Sequence, residues 1–268
     1  MRIAVDDVEI EVDCQGEAVS GPAVVLVHGL GGSRRTWSAL MPLLARHVKV
    51  VAPDLRGCGD SSRGSAAYTL ARAADDVARV AEAVGLERYV AVGHSLGGVL
   101  VEELLTRQIP AIAGAVLIST SSRLSEKATQ NWRRIADSVE ANGISPSPAA
   151  RARGFTEEFA REHADVLDFH AAIAARTDRR VYAEQARAAS SYDYTDALAR
   201  VTCPVLILQG LADQMTPPGG SVLLQRAMPS VARLEMIEGG DHNLPLERPE
   251  LVAEKILGFA RDVFAEPR

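Results

Sequence analysis

Six short, mostly apolar runs punctuate this chain: AVVLVHG (23–29), VKVVAPD (48–54), YVAVGHS (89–95), AGAVLIST (113–120), PVLILQG (204–210) and RLEMIEGG (233–240). Most end in Gly, Asp, Ser or Thr. A run that is apolar at successive positions, rather than at every second one, fits a strand buried on both faces. Such strands belong to a parallel sheet covered by helices on either side. Helical patterns fill most of the gaps. Residues 36–47 put Trp37, Leu40, Met41 and Leu44 on one face, and residues 70–84 put Val77, Val80, Ala81 and Val84 on another. Residues 96–108 are apolar nearly all round and stop before Pro110, which predicts a buried helix. A last helix is predicted over 250–264, after Pro249.

Residues 2–12 alternate apolar and polar around Asp6-Asp7, the pattern of a hairpin with one wet face. With the six runs this makes an eight-stranded, mostly parallel, doubly wound α/β sheet. The alternation then fails. Between 121 and 194 no buried-strand run occurs, and the segment turns rich in Ala, Arg and Glu at helical spacing. The expected organisation is therefore a core of residues 1–120 and 195–268, with a helical lid over 121–194 inserted after the sixth strand. Insertions at the carboxyl ends of such strands cover the crevice where open α/β sheets bind ligands.

Composition excludes several classes. Hydrophobic residues make up 47% of the 268, ample for a packed core. The formal charge is −6, from 29 basic and 35 acidic residues, with no block of like charge. Neither a nucleic-acid surface nor a polybasic membrane anchor is expected. Cys14, Cys58 and Cys203 are scattered, so neither a disulfide framework nor a zinc site is expected. The start, MRIAVDDVEI, lacks the apolar centre of a signal peptide, and no run of about 18 apolar residues follows. The expectation is a cytoplasmic protein, monomer or homodimer, with a small-molecule substrate and neither metal nor cofactor.

The chemistry concentrates in GHSLGG. Gly93-His94-Ser95-Leu96-Gly97 matches G-x-S-x-G and sits between an expected strand and an expected helix, the context a nucleophile elbow requires. A turn that sharp forces the central residue into a strained conformation, with positive φ, and demands small residues two positions away. A serine nucleophile needs a base and an orienting acid, in the order Ser, Asp or Glu, His. His242, in a Gly-rich loop after the last strand, is the favoured base. His163 and His170 fall in the lid segment, where packing or pocket lining suits them better. Asp213 follows the strand ending at Gly210 and is the favoured acid. Its rival, Asp241, adjoins His242, and adjacent side chains diverge. The oxyanion hole needs two backbone N–H groups. Leu96 follows the nucleophile, and Leu30 lies in HGLGGS (28–33) after the third strand. That loop spells neither phosphate-binding signature: Arg34 stands where G-x-G-x-x-G needs its third Gly.

Taken together, HGLGGSRRTW, PDLRGCGDSS, GHSLGG, LQGLADQMTPP and GGDH resemble the α/β-hydrolase fold family in order and spacing. The likeness spans nearly the whole chain outside the lid. It is greatest to small bacterial lidded hydrolases such as 3-oxoadipate enol-lactonases, carboxylesterases and C–C bond hydrolases. The resemblance implies Ser95 as nucleophile, Asp213 as acid, His242 as base, and Leu30 and Leu96 as oxyanion donors. It implies hydrolysis of a carboxylic ester or lactone, of small to medium and partly apolar substrates. C–C bond hydrolases, thioesterases and synthases or lyases of the family use the same triad. Ligand-sensing receptors of this fold carry Val-Ser after the serine, where this chain has Leu-Gly. Cys58 departs from the family, which often has a bulkier residue such as His in RGCGDS. In the lid, Trp132, Phe155, Phe159 and Phe169 are the expected pocket walls.

Overall fold

A computed structural model describes residues 1–16, 22–145 and 147–265. Its eight strands are β1 (Arg2–Val5), β2 (Val8–Gln15), β3 (Ala23–Val27), β4 (Lys49–Pro53), β5 (Tyr89–His94), β6 (Ile112–Ile118), β7 (Val205–Gly210) and β8 (Ala232–Ile237). They form one sheet in the order β1-β2-β4-β3-β5-β6-β7-β8. The hairpin of β1 and β2 pairs antiparallel within itself and with β4, and every other pairing is parallel. Every residue of β3, β5 and β7 is buried, which is why those runs read as apolar without alternation. Strand β2 alternates because one face is wetter.

The side chains of β3 divide by parity. Val25 and Val27 join a core cluster with helices α2 (Leu70–Ala83) and α3 (Leu96–Thr106). Val24 and Leu26 face the opposite side, with the one-turn helix α1 (Met41–Leu44) and the C-terminal helix. Each large apolar side chain buried this way contributes about 1.5–3 kcal/mol.

The single long helix expected over 36–47 does not form. A capped 3₁₀ turn, Arg34–Trp37, precedes α1, whose first turn holds Pro42. Proline inside a continuous helix would lack its N–H and strike the carbonyl four residues back. The chain therefore restarts there, and keeps Trp37, Leu40, Met41 and Leu44 buried on the same side.

Between β6 and β7 lie α4 (Glu126–Asn142), α5 (Pro148–Arg151), α6 (Glu157–Glu162), α7 (Ala164–Ala175) and α8 (Arg179–Ala188), then the short α9 (Thr195–Leu198). The two ends of this helical insertion meet. Arg123 bridges Asp193, and the Tyr194 N–H donates to the Ser122 carbonyl at 2.9 Å. Helices α4 and α8 meet through Ala136, Ala183 and Ala186, whose small side chains permit close approach. Helices α10 (Pro218–Ala227), α11 (Leu244–Glu247) and α12 (Pro249–Ala265) complete the layers, α10 with the α2/α3 side and α12 with the other. No described helix is long and apolar enough to cross a membrane.

The strand order locates the site. The chain runs from β3 to β4 on one side, then returns to β5 on the other side of β3. The loops leaving β3 and β5 therefore diverge, and a crevice opens beyond their carboxyl ends.

Candidate active site

Ser95 stands at the crevice, between β5 and α3, with φ 54° and ψ −118°. Its flanking glycines are required by space. A Cβ on Gly93 would lie 2.6 Å from the Gly97 carbonyl carbon and from the Gly98 Cα, and one on Gly97 would meet the Val27 and His28 carbonyls. These obstacles are backbone and cannot rotate away. The Ser95 N–H donates to the Ile118 carbonyl at 2.9 Å, tying the turn to β6. The Ser95 hydroxyl has no hydrogen-bond partner among the described residues, and it faces an open cavity.

His242 follows β8 and lines the same cavity. Its Nδ1 lies 2.9 Å from Asp213 Oδ2. The carboxylate accepts, so Nδ1 carries a proton. Asp213 follows β7 and is fixed from several sides. Its Oδ1 accepts the Met215 and Thr216 N–H groups, each at 2.8 Å, and its Oδ2 accepts from Gln209 Nε2 at 3.2 Å. Burial pushes the Asp213 carboxyl up, but His242 and these donors together hold it below the usual carboxylate range. The rival Asp241 does not reach the ring; its Oδ1 accepts the His242 backbone N–H at 2.7 Å.

Two further histidines are structural. His94 donates from Nε2 to the His242 carbonyl at 2.9 Å, and burial drives its pKa to about 3, so it stays neutral. His28 accepts the Leu55 N–H on Nε2 at 2.9 Å and donates from Nδ1 to the Gly29 carbonyl at 2.8 Å. It thereby joins the loops after β3 and β4.

Leu30 lies in the loop after β3 and Leu96 is the first residue of α3, next to Ser95, and neither N–H has a hydrogen-bond partner among the described residues. The insertion braces the Leu30 loop from above. The Thr177 hydroxyl donates to the Gly31 carbonyl at 3.3 Å, and Gln185 Oε1 accepts the Gly31 N–H at 3.5 Å. Gly31 has φ 66°, and the Tyr182 ring occupies the space a side chain would need. Gln185 also donates to Cys58 Sγ at 3.1 Å. The space beside the small Cys58 is thus filled from the insertion, and burial pushes that thiol up to about 12.

A model of the alpha/beta hydrolase family matches residues 24–255. The chain belongs to that family. It is 28% identical over 254 residues to the non-heme chloroperoxidase of Streptomyces lividans, covering 90% of this chain and 92% of that one. It is 25% identical over 245 residues to 3-oxoadipate enol-lactonase 1 of Acinetobacter baylyi, covering 91% and 90%. Among solved structures, an esterase from Thermogutta terrifontis with malate bound superposes with a TM-score of 0.89, at 28% identity over 98% of this chain and 99% of that one.

In this α/β-hydrolase the cavity above Ser95 measures about 670 Å³. Its floor comes from the sheet loops and its roof from the insertion. Of the four aromatic residues expected as walls, Trp132 lines it and the other three do not. Phe155 is buried in a separate cluster with Leu167 and Leu246, Phe159 stacks on Phe155 at 5.7 Å, and Phe169 is exposed on the outside of α7. Phe155 and Phe159 thus pack the insertion internally and against α11, and Phe169 packs into neither that cluster nor the cavity. Ile135 and Val139 share the wall with Trp132, three and seven positions along α4. That helical spacing was the available signal. Arg153, His170, Tyr182 and Asn243 also line the cavity. His170 is pushed down to about 4, first by burial and then by His242, so it presents a neutral ring.

Proposed function

We propose that this α/β-hydrolase cleaves a carboxylic ester or lactone of a small to medium, partly apolar substrate by two-step acyl transfer. His242 Nε2 takes the Ser95 proton as Oγ attacks the carbonyl carbon. Asp213 keeps the imidazole in the required tautomer and stabilises its charged form. The Leu30 and Leu96 N–H groups receive the oxyanion, each contributing about 3 kcal/mol. His242 then donates the proton to the leaving alcohol. In the second step it activates water, which attacks the acyl-enzyme and frees Ser95. With a lactone the alcohol stays attached to the acyl chain, and the product is a hydroxy acid.

The observation that carries this reading is one juxtaposition. A serine at φ 54° opens into the same cavity as an imidazole whose far nitrogen is held by a buried carboxylate at 2.9 Å. The insertion over 121–194 serves as the lid, its apolar wall of Trp132, Ile135 and Val139 suiting an apolar acyl or alcohol group. The enol-lactonase and esterase relatives support the reaction class.

Turnover of short-chain p-nitrophenyl esters, with Ser95→Ala as the control, tests the proposal. The variant is expected to lose roughly 10⁴-fold or more in kcat, and a fluorophosphonate is expected to modify the Ser95 peptide, read by mass spectrometry. Full activity in Ser95→Ala would overturn the site.

A further inference from the structure

Two glycine-bearing loops meet the underside of the insertion at one place, beneath α8. The loop after β3 brings Gly31, at φ 66°, and the loop after β4 brings Gly57, at φ 74°. Neither has room for a side chain. A Cβ on Gly31 would lie 2.7 Å from Tyr182 Cε2, and one on Gly57 would lie 2.8 Å from Val181 Cγ1 and Cγ2. Val181 and Gln185 share one face of α8, four positions apart, with Tyr182 beside them. Ion pairs of Arg63 with Glu184, and of Asp60 with Arg176 at 2.7 Å, fasten the same end of the insertion to the loop after β4.

Gln185 ties the two loops together. It is fully buried. The Gly31 N–H can only donate, so it takes Oε1, at 3.5 Å, and Nε2 is left to face Cys58 Sγ at 3.1 Å. Thr177, just before α8, donates its hydroxyl to the Gly31 carbonyl at 3.3 Å. Both polar groups of the Gly31 backbone are therefore held by the insertion. Gly31 adjoins Leu30, the proposed oxyanion donor. The Gly29 carbonyl accepts from the Gly32 N–H at 3.1 Å and from His28 Nδ1 at 2.8 Å, which closes residues 29–32 into a turn rooted in the core. A planar trans peptide sets the Leu30 N–H opposite that carbonyl. Three of the turn's four residues are glycine, and glycine gives a backbone little stiffness. The core holds the turn's first carbonyl; among the described residues, its crest at Gly31 is hydrogen-bonded by the insertion alone.

We propose that Gln185 is a positioning residue for the oxyanion hole: bonded to Gly31 and Cys58, it fixes the turn whose Leu30 N–H must meet the oxyanion, so the hole is complete only with the insertion seated. This inference rests on the hydrolase reading above, and it names a residue outside the triad and the two donors on which that transition state depends.

Separating ground state from transition state tests it. Gln185→Leu nearly keeps the side-chain volume and removes both hydrogen bonds. On a short-chain p-nitrophenyl ester its kcat is expected to fall about tenfold, because a misplaced donor loses much of its worth, with KM changed by less than about twofold. Inhibition by an alkyl trifluoromethyl ketone, whose Ser95 adduct carries an oxyanion, is expected to weaken by the same factor as kcat/KM. Gln185→Glu keeps an acceptor for Gly31 and is expected to recover most of the loss. Amide exchange read by NMR follows the turn without any reaction. The Gly32 N–H, which Gln185 does not touch, is expected to exchange about fivefold faster or more in Gln185→Leu. Unchanged kcat, a fall in kcat with ketone inhibition unaltered, or unchanged exchange at Gly32 would each overturn the proposal. Should Gln185→Leu not fold, Gln185→Met, which adapts more readily to a packed site, is held to the same outcomes. If the wild type turns over no ester and forms no ketone adduct at Ser95, the hydrolase reading fails, and Gly32 exchange alone decides whether Gln185 fixes the turn.

Discussion

Behind Asp213, Gln209 is fully buried and its amide orientation is decided by its partners. Ser221 donates to its Oε1 at 2.5 Å, so Nε2 must face Asp213 Oδ2, the Gly210 carbonyl and the Thr216 carbonyl, at 3.2, 3.0 and 3.2 Å. Gln209 touches the same carboxylate oxygen that orients His242, and it is remote from the cavity. Gln209→Leu should therefore lower kcat roughly tenfold, the cost of about one hydrogen bond to a charged group, with KM changed by much less. A steady-state measurement on one ester reads both parameters, and a rise in KM at constant kcat would contradict the positioning role. Ser95, Asp213 and His242, the proposed triad, are readable in the sequence because each follows a recognisable strand. Gln209 was unreadable: inside PVLILQG it is one polar residue in an apolar run, and only the chain folding α10 over it supplies Ser221.

At the scale of elements, the elbow depends on backbone passing backbone. Gly93→Ala places its Cβ against the first turn of α3, where nothing flexible can yield. Overpacking of this kind costs roughly 3 kcal/mol, measurable as a fall in the urea midpoint. Gly219→Ala is the contrast: it lies in α10, with open space for 4 Å around the point where a Cβ would stand, and should be neutral or stabilising by up to about 1 kcal/mol. Equal midpoints for the two variants would show that the collision at Gly93 costs nothing. Strands β3, β5 and β7 were legible because burial on both faces leaves an uninterrupted apolar signature, whereas β8, expected to be buried in the same way, is an edge strand with only Ile237 buried. The break within 36–47 was harder to read, because the apolar periodicity continues across Pro42 while the backbone does not.

For the whole molecule, three histidines are kept neutral by burial: His28 is lowered, His94 falls to about 3, and His170 to about 4. An unfolded histidine titrates near 6.5. Between that pH and about 4, the unfolded chain takes up protons that the native state refuses, so stability falls as pH falls. Each such group contributes at most ~1.4 kcal/mol per pH unit. Glu102 works in the opposite sense: it is buried with its pKa raised well above the ordinary value, so its contribution is lost as pH rises. Comparing His170→Gln with wild type isolates one histidine. The variant's urea midpoint should drop less between pH 7 and pH 5, and an identical drop would mean that His170 protonates freely in the folded protein.

The sequence by itself determined the sheet, the succession of its buried strands, the helical interruption between β6 and β7, and a short set of residues able to do acyl-transfer chemistry. All of these leave local traces: burial on both faces, helical spacing, or a turn only glycine permits. Which side chains meet was decided by tertiary structure alone. Periodicity marks Phe155, Phe159 and Phe169 as apolar in the same way as Trp132 and Ile135, yet packing turns the first three away from the cavity and the others into it. The partner of Arg151 is likewise invisible in the chain, because only the fold brings Asp168 of α7 to it and not to Arg153 two residues away. Pairing and direction are set by contacts between residues distant in sequence, and those exist only once the insertion is seated on the sheet.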